Sequence, residues 1–251
     1  MLFKESVSIA IAALLSNKLR SILTMLGIII GVGAVIVMIS IGMGVRQNVT
    51  NSIASLGSNM LIVTPGSANK GGVRSAAGSN QSLKLDDAEA IQKRIKDIDY
   101  VAPTVNSSYQ VVYGNQNWNT SVYGVTPDYM KIRSLTVASG SFITNADDNS
   151  RNRVAVIGST VATNLFGTKN PVGSNIRIHN QPFKVIGVLE SKGQSSMGSD
   201  QDDVVLVPLK TAQERLMGIT YIRSINIQVT NTNDMDAVQE QVKTMTLTSA
   251  T

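Results

Sequence analysis

SILTMLGIIIGVGAVIVMISIGMGV, residues 21–45, contains no charged residue and determines how the rest of the chain is interpreted. Twenty-five helical residues rise about 1.5 Å each, roughly 37 Å in total, which is enough to cross a hydrocarbon core of about 30 Å with some tilt. Leu, Ile and Val fill about half of the stretch and favour insertion into lipid. We therefore predict a transmembrane helix. Arg46 follows it directly without a small-x-small cleavage motif, which favours a retained anchor over a cleaved secretion signal.

The charges that flank this stretch predict its orientation. Lys4, Lys18 and Arg20 precede it, whereas Arg46 alone follows it closely. Cytoplasmic flanks carry the excess of Lys and Arg, so we expect the N-terminus in the cytoplasm. Residues after about 46 are then extracytoplasmic, and the chain is expected in the cytoplasmic membrane, in contact with lipid.

Residues 1–20 show apolar positions at helical spacing between Val7 and Leu15. This pattern predicts an amphipathic helix in the membrane interface. The alternative is that these residues simply lengthen the transmembrane helix.

Small residues recur on one side of the predicted transmembrane helix. Gly27 and Gly31 form a small-x-x-x-small pair, and Ala34 continues nearly the same face one turn later. Such a face allows another helix to approach closely. Gly27, Gly31 and Ala34 are therefore candidate residues for helix–helix packing, although glycine is common in membrane helices and the spacing also arises by chance.

The composition excludes several function classes. Lys and Arg number 22 against 17 Asp and Glu, and the cations are scattered rather than gathered in a stripe, so nucleic-acid binding is not indicated. Aromatic residues make up only 4% of the chain, which is poor for stacking on flat ligands. Cysteine is absent, which excludes disulfides and thiolate metal sites.

Beyond Arg46 the periodicity predicts a mixed α+β domain. The helix continues to about residue 58, and a short strand follows at 60–63. Helical spacing returns at 83–98, and period-two alternation begins after Pro103. Strand-then-helix patterns are then expected at 154–166 and 203–217, with a strand at 225–229, a last helix from about 234, and a mobile loop at 67–82.

No set of residues in this domain suggests catalysis, a cofactor or a metal. Asp147 and Asp148 lie in a polar run, 145–153, which is expected to be a solvated surface loop. His179, the single histidine, is expected to point outward from a strand, and residues 191–202 are expected to form a flexible loop. We therefore predict that the chain is not an enzyme.

The order and spacing of several blocks resemble the MacB-type ABC transporter permeases over nearly the whole chain. These blocks are NKLRSILTMLGIIIGVGAVIVMISIGMG (17–44), LKLDDAEAI (83–91), YGVTPDYMKIRSLTVASGSF (123–142), VAVIGSTVATNLFG (154–167) and PVGSNIRIHNQPFKVIGVLESKG (171–193).

The resemblance implies an extracytoplasmic domain in two parts. A mixed α/β, membrane-proximal part would comprise residues 46–103 and 203–251, and a mostly β part, residues 104–202, would be inserted into it. It also implies a permease that transmits ATP-driven movement during export or efflux. Its expected partners are an ABC ATP-binding subunit, a second permease copy or paired permease, and a membrane-fusion adaptor.

The chain lacks a Gly-x4-Gly-Lys-Ser/Thr phosphate loop, so ATP would be bound by the partner. It also ends before the three further spans of family permeases, and we expect it to be the N-terminal portion of such a permease. Two other hypotheses are kept: a single-span sensor or ligand-binding module, and an anchored hydrolase.

Overall fold

A computed structural model describes residues 5–9, 18–56, 59–66, 69–70, 73–74, 82–195 and 198–248. The chain divides into two compact units, Met1–Asn51 and Ser52–Thr251.

Helix α1 (Lys18–Leu56) is 39 residues long, about 58 Å at 1.5 Å per residue. Within its Lys18–Arg46 portion, an 18-residue window reaches a mean hydropathy of 2.8 with none of that window buried, and α1 is the one helix among the described residues that is long and apolar enough to cross a membrane. Ile28 and Met38 are 65% and 74% exposed. The predicted helix and its continuation past Arg46 are confirmed. Residues 5–9 are helical, but most of the predicted interfacial helix lies outside the described residues.

The second unit is built on a nine-stranded sheet in the order β1-β11-β4-β5-β10-β7-β9-β6, with β8 pairing β4 and β9. Most neighbours are antiparallel, whereas β5–β10 and β7–β9 are parallel. The strands are β1 (Met60–Val63), β4 (Ile98–Tyr113), β5 (Gln116–Val125), β6 (Val137–Gly140), β7 (Val154–Ile157), β8 (Asn175–Ile178), β9 (Gln181–Leu189), β10 (Val204–Pro208) and β11 (Ser224–Val229). Two short strands, β2 (Asn69–Lys70) and β3 (Val73–Arg74), pair separately, within the predicted loop at 67–82, most of which lies outside the described residues.

Among the described residues, five helical segments connect these strands and a sixth follows β11. They are α2 (Leu85–Arg94), α3 (Tyr129–Ile132), α4 (Asn145–Asn149), α5 (Ser159–Phe166), α6 (Leu209–Thr211), which continues as π-helical turns over Ala212–Met217, and α7 (Met235–Thr248), which follows a 3₁₀ turn at Thr232–Asp234. The predicted strand–helix units are confirmed, and Gly218 ends the second one with a positive φ of 63°.

Both faces of the sheet are covered. Side chains alternate between faces along a strand, so Val205 and Val207 enter a large core with α2, α5, α6 and α7, whereas Leu206 enters a smaller core with Tyr129 and Ile132 of α3. This mixed α/β domain behind an N-terminal apolar helix is the predicted fold class.

The start of β4 differs from the sequence prediction. The helical spacing ran through Ile98, but α2 ends at Arg94, and Asp97, with a φ of 66°, reverses the chain so that Ile98 begins a strand. Pro103 lies within that strand instead of before it. Proline has no backbone N–H to donate to a neighbouring strand. Pairing of β4 with β5 begins only at Thr104, so the β5 side of the strand requires no donor at Pro103. The predicted division of the domain into two parts stays a prediction. One part comprises residues 46–103 and 203–251, and the other comprises residues 104–202. The first boundary, between residues 103 and 104, falls inside β4.

Candidate functional site

The predicted packing residues share one face of α1. Gly27, Gly31 and Ala34 are spaced i, i+4 and i+7, and Ala34 is exposed. A methyl group added at Gly27 or Gly31 would meet no atom of the described chain within 4 Å. The face is therefore accessible to another helix, although contact with one stays a proposal.

A buried carboxylate organises the segment that the sequence predicted to be a flexible loop, residues 191–202. Asp202 is 6% exposed and accepts hydrogen bonds from Ser191 Oγ, from Lys192 N at 2.8 Å and from Gly193 N at 3.0 Å. Burial alone would raise the pKa of Asp202, but these hydrogen bonds outweigh burial and lower it. The described residues of the segment contain no helix or strand, as predicted for a loop, and its two ends share this acceptor, while its flexibility stays a prediction.

The same segment is fastened to the start of α5. Thr160 Oγ1 donates to Asp200 Oδ2 at 2.7 Å, and Asp202 N donates to Asp200 Oδ1 at 2.8 Å. Gly158 precedes α5, and a Cβ at this position would lie 2.0 Å from the carbonyl oxygen of Asp202. Only glycine allows the segment to approach this closely.

Asp148 corrects the prediction that residues 145–153 form a solvated surface loop. Residues Asn145–Asn149 form α4, which begins with a capping box between Thr144 and Asp147. Asp148 is 7% exposed and accepts a hydrogen bond from Lys210 N at 2.9 Å, where α6 begins. Its role is to cap a helix, not to face solvent, and its partner lies 62 residues away.

His179 lies in the turn between β8 and β9, with a φ of 48°, and not on a strand. It is exposed as predicted, and its ring contacts Tyr109 with centroids 5.3 Å apart. No group of three or more His, Cys, Asp or Glu side chains that could hold a metal ion forms among the described residues.

A cavity of about 150 Å³, which the sequence did not indicate, lies on the smaller-core face of the sheet. Arg133, Lys192, Tyr123 and Tyr129 line it together with Leu135, Ser199, Asp200, Gln201, Val204 and Leu206. These residues come from β5, α3 and the turn after it, the 191–202 segment and β10. No local spacing could have indicated it, because only the sheet order brings them together.

Fold and side chains together define a class: a mixed α/β domain that follows a long apolar helix, with a helix face and a small charged cavity as its candidate sites. The chain belongs to the family described as MacB-like periplasmic core domain, whose profile matches residues 21–245. The resemblance to MacB-type permeases is confirmed.

Two relatives share the printed name "Macrolide export ATP-binding/permease protein MacB". The protein from Bdellovibrio bacteriovorus is 43% identical over 230 residues, covering 92% of this chain and 35% of the relative. The one from Chlorobium luteolum is 39% identical over 233 residues, covering 93% and 35%. The chain thus spans about a third of the length of these curated relatives.

Solved structures share the fold. The periplasmic region of MacB from Actinobacillus actinomycetemcomitans matches with a TM-score of 0.63 and 25% identity, covering 77% of this chain and 87% of that one. The extracellular domain of the ABC-type transporter YknZ from Gram-positive bacteria matches with a TM-score of 0.59 and 20% identity, covering 72% and 88%, which bears on the fold alone.

Proposed function

We propose that this chain supplies the first membrane helix and the extracytoplasmic core domain of an ABC-type export permease. The observation that carries the proposal is the extent of the family match. It begins at Ser21 and ends at Met245, so it includes the apolar helix as well as the domain. The relatives named for macrolide export support an export role, and the cargo of this chain would be a molecule moved across the envelope.

In this proposal the domain moves and does not catalyse. ATP is bound by an ABC ATP-binding subunit or domain on the cytoplasmic side, because the sequence contains no phosphate loop. The N-terminus lies in the cytoplasm and the residues after about 46 lie outside it. A second permease copy and a membrane-fusion adaptor complete the assembly.

The core domain offers a route by which a displacement can spread. Three residues separate the end of α1 at Leu56 from the start of β1 at Met60. β1 pairs antiparallel with β11 over Met60–Val63, and β11 in turn pairs with β4, the longest strand. A displacement of β1 along its axis therefore loads backbone hydrogen bonds in shear, and the packed sheet transmits it instead of deforming locally.

The Gly27, Gly31 and Ala34 face is proposed as the surface where α1 meets another permease helix. Because the chain contains no cysteine, a single Ala34→Cys substitution places one thiol on that face. Ile36→Cys, about 200° further around the helix, is the matched control on the opposite face.

Disulfide crosslinking should be measured in membranes that contain the complete transporter. We expect Ala34→Cys chains to crosslink and their yield to change at least twofold when the ATPase holds a non-hydrolysable ATP analogue. Ile36→Cys chains should crosslink weakly in both states. Equal yields with and without nucleotide at Ala34→Cys would contradict the transmission proposal.

A further inference from the structure

The cavity beside Arg133 and Lys192 has walls of two kinds. Its apolar floor is formed by neighbouring parallel strands, where Leu206 of β10 lies opposite Tyr123 of β5. Leu135 and Val204 pack against the same core, and Tyr129 is 7% exposed within it. The polar rim is formed by Arg133 and by Lys192, Ser199, Asp200 and Gln201 of the 191–202 segment. The cavity therefore offers an apolar surface next to charged groups.

Two cations are held at this cavity by their own contacts. Burial raises the pKa of Tyr129, and the neighbouring Arg133 charge opposes this effect, while Lys192 Nζ donates a hydrogen bond to the Arg133 carbonyl oxygen at 2.6 Å. Partial burial lowers the pKa of Lys192, and the neighbouring Arg133 charge lowers it further, although Asp202 opposes this effect. An anion beside both side chains would relieve this repulsion.

The carboxylate on the rim is occupied by neutral donors. Asp200 accepts from the Thr160 hydroxyl and from the Asp202 backbone N–H. Within the described parts of the chain, no carboxylate oxygen comes within 4.0 Å of the Arg133 guanidinium. The guanidinium fork, which suits carboxylate and phosphate oxygens, therefore keeps its capacity for an oxyanion.

We propose that this cavity binds a small oxyanion, a phosphate or carboxylate, that carries a short apolar group. Arg133 and Lys192 contact the oxyanion, whereas Tyr123, Leu135 and Leu206 contact the apolar part. A volume of about 150 Å³ is below the roughly 300–1,000 Å³ of drug-sized sites, so the ligand is small or inserts only one end. This site is independent of the permease proposal, because no step in it requires ATP or a partner.

The test uses the full chain in an uncharged detergent and titrates it calorimetrically with phenyl phosphate. Benzyl alcohol, which is neutral with a similar apolar part, is the ligand control. Arg133→Met/Lys192→Met removes both cations. Arg177→Met/Lys184→Met is the matched control, because it removes two exposed cations from β8 and β9 at equal net charge. Circular dichroism melting verifies that each variant is folded.

We expect saturable binding of phenyl phosphate and none of benzyl alcohol. Affinity should fall at least tenfold in Arg133→Met/Lys192→Met and stay within twofold in Arg177→Met/Lys184→Met. Asp200→Asn, which removes the negative charge of the rim, should tighten binding about threefold. If Arg133→Met/Lys192→Met fails to fold, the affinity of Asp200→Asn for phenyl phosphate tests the proposal instead. No saturable binding, equal binding of benzyl alcohol, or unchanged affinity in both cavity variants would overturn the proposal.

Discussion

Asp202 and Asp148 show how single carboxylates hold this domain together. Each is buried and accepts hydrogen bonds from backbone N–H groups, those of Lys192 and Gly193 for Asp202 and that of Lys210 for Asp148. Hydrogen bonds to a charged acceptor contribute about 1.5–3 kcal/mol, and more is lost when a buried partner is left unsatisfied. Acidic residues in polar runs are therefore structural here.

The contribution of Asp202 should depend on pH. Its folded-state pKa lies below the ordinary 3.8, so the ionised carboxylate stabilises the fold above pH 3.8. This stabilisation is lost as the pH falls through the folded-state pKa. Asp202→Asn should lower the free energy of unfolding by about 2 kcal/mol at pH 7, and the difference from wild type should shrink below pH 3.8.

Urea unfolding of the full chain in detergent at pH 7 and at pH 3 measures this difference. Asp236→Asn is the control, since Asp236 is exposed on α7, and it should change the free energy of unfolding by less than about 0.5 kcal/mol. An Asp202→Asn effect of equal size at both pH values would contradict the assignment.

At the scale of helices and strands, the sequence could predict most elements because their signals are local. The alternation of Ile225, Ile227 and Val229 and the glycine after α5 required no knowledge of partners. The contacts that the sequence did not predict join distant residues: Asp148 caps α6, and Asp202 accepts hydrogen bonds from the other end of the 191–202 segment. Sheet order also could not be predicted, and with it the Arg133–Lys192 cavity.

Close packing between β5 and α6 gives an element-scale prediction. A Cβ at Gly124 would lie 2.4 Å from Cβ of Ala212 and 2.7 Å from Cγ2 of Val105. Gly124→Ala should therefore force the helix away from the sheet and lower the free energy of unfolding by about 1–3 kcal/mol.

Gly66→Ala is the matched control, because a Cβ there would meet nothing within 4 Å in the described structure. Its free energy of unfolding should stay within about 0.5 kcal/mol of wild type in the same urea titration. If Gly124→Ala and Gly66→Ala had the same free energy of unfolding, the inference that α6 packs tightly against the sheet at Gly124 would be wrong.

At the scale of the whole molecule, the proposed function depends on the membrane topology of the chain. An exposed apolar helix of this length is stable in lipid, and the domain that follows it belongs to a family described as periplasmic. The family match could be anticipated from the sequence because the order of the blocks survives. The two-part division of the domain at residues 104–202 and the helix face at Gly27, Gly31 and Ala34 stay proposals.

Cysteine labelling in spheroplasts tests this topology most directly, because the native chain has no thiol. A membrane-impermeant maleimide should label Asp236→Cys in intact spheroplasts, label Lys18→Cys only after the membrane is opened, and leave Ile30→Cys unlabelled until detergent and denaturant are added. Labelling of Lys18→Cys with protection of Asp236→Cys in intact spheroplasts would contradict the account.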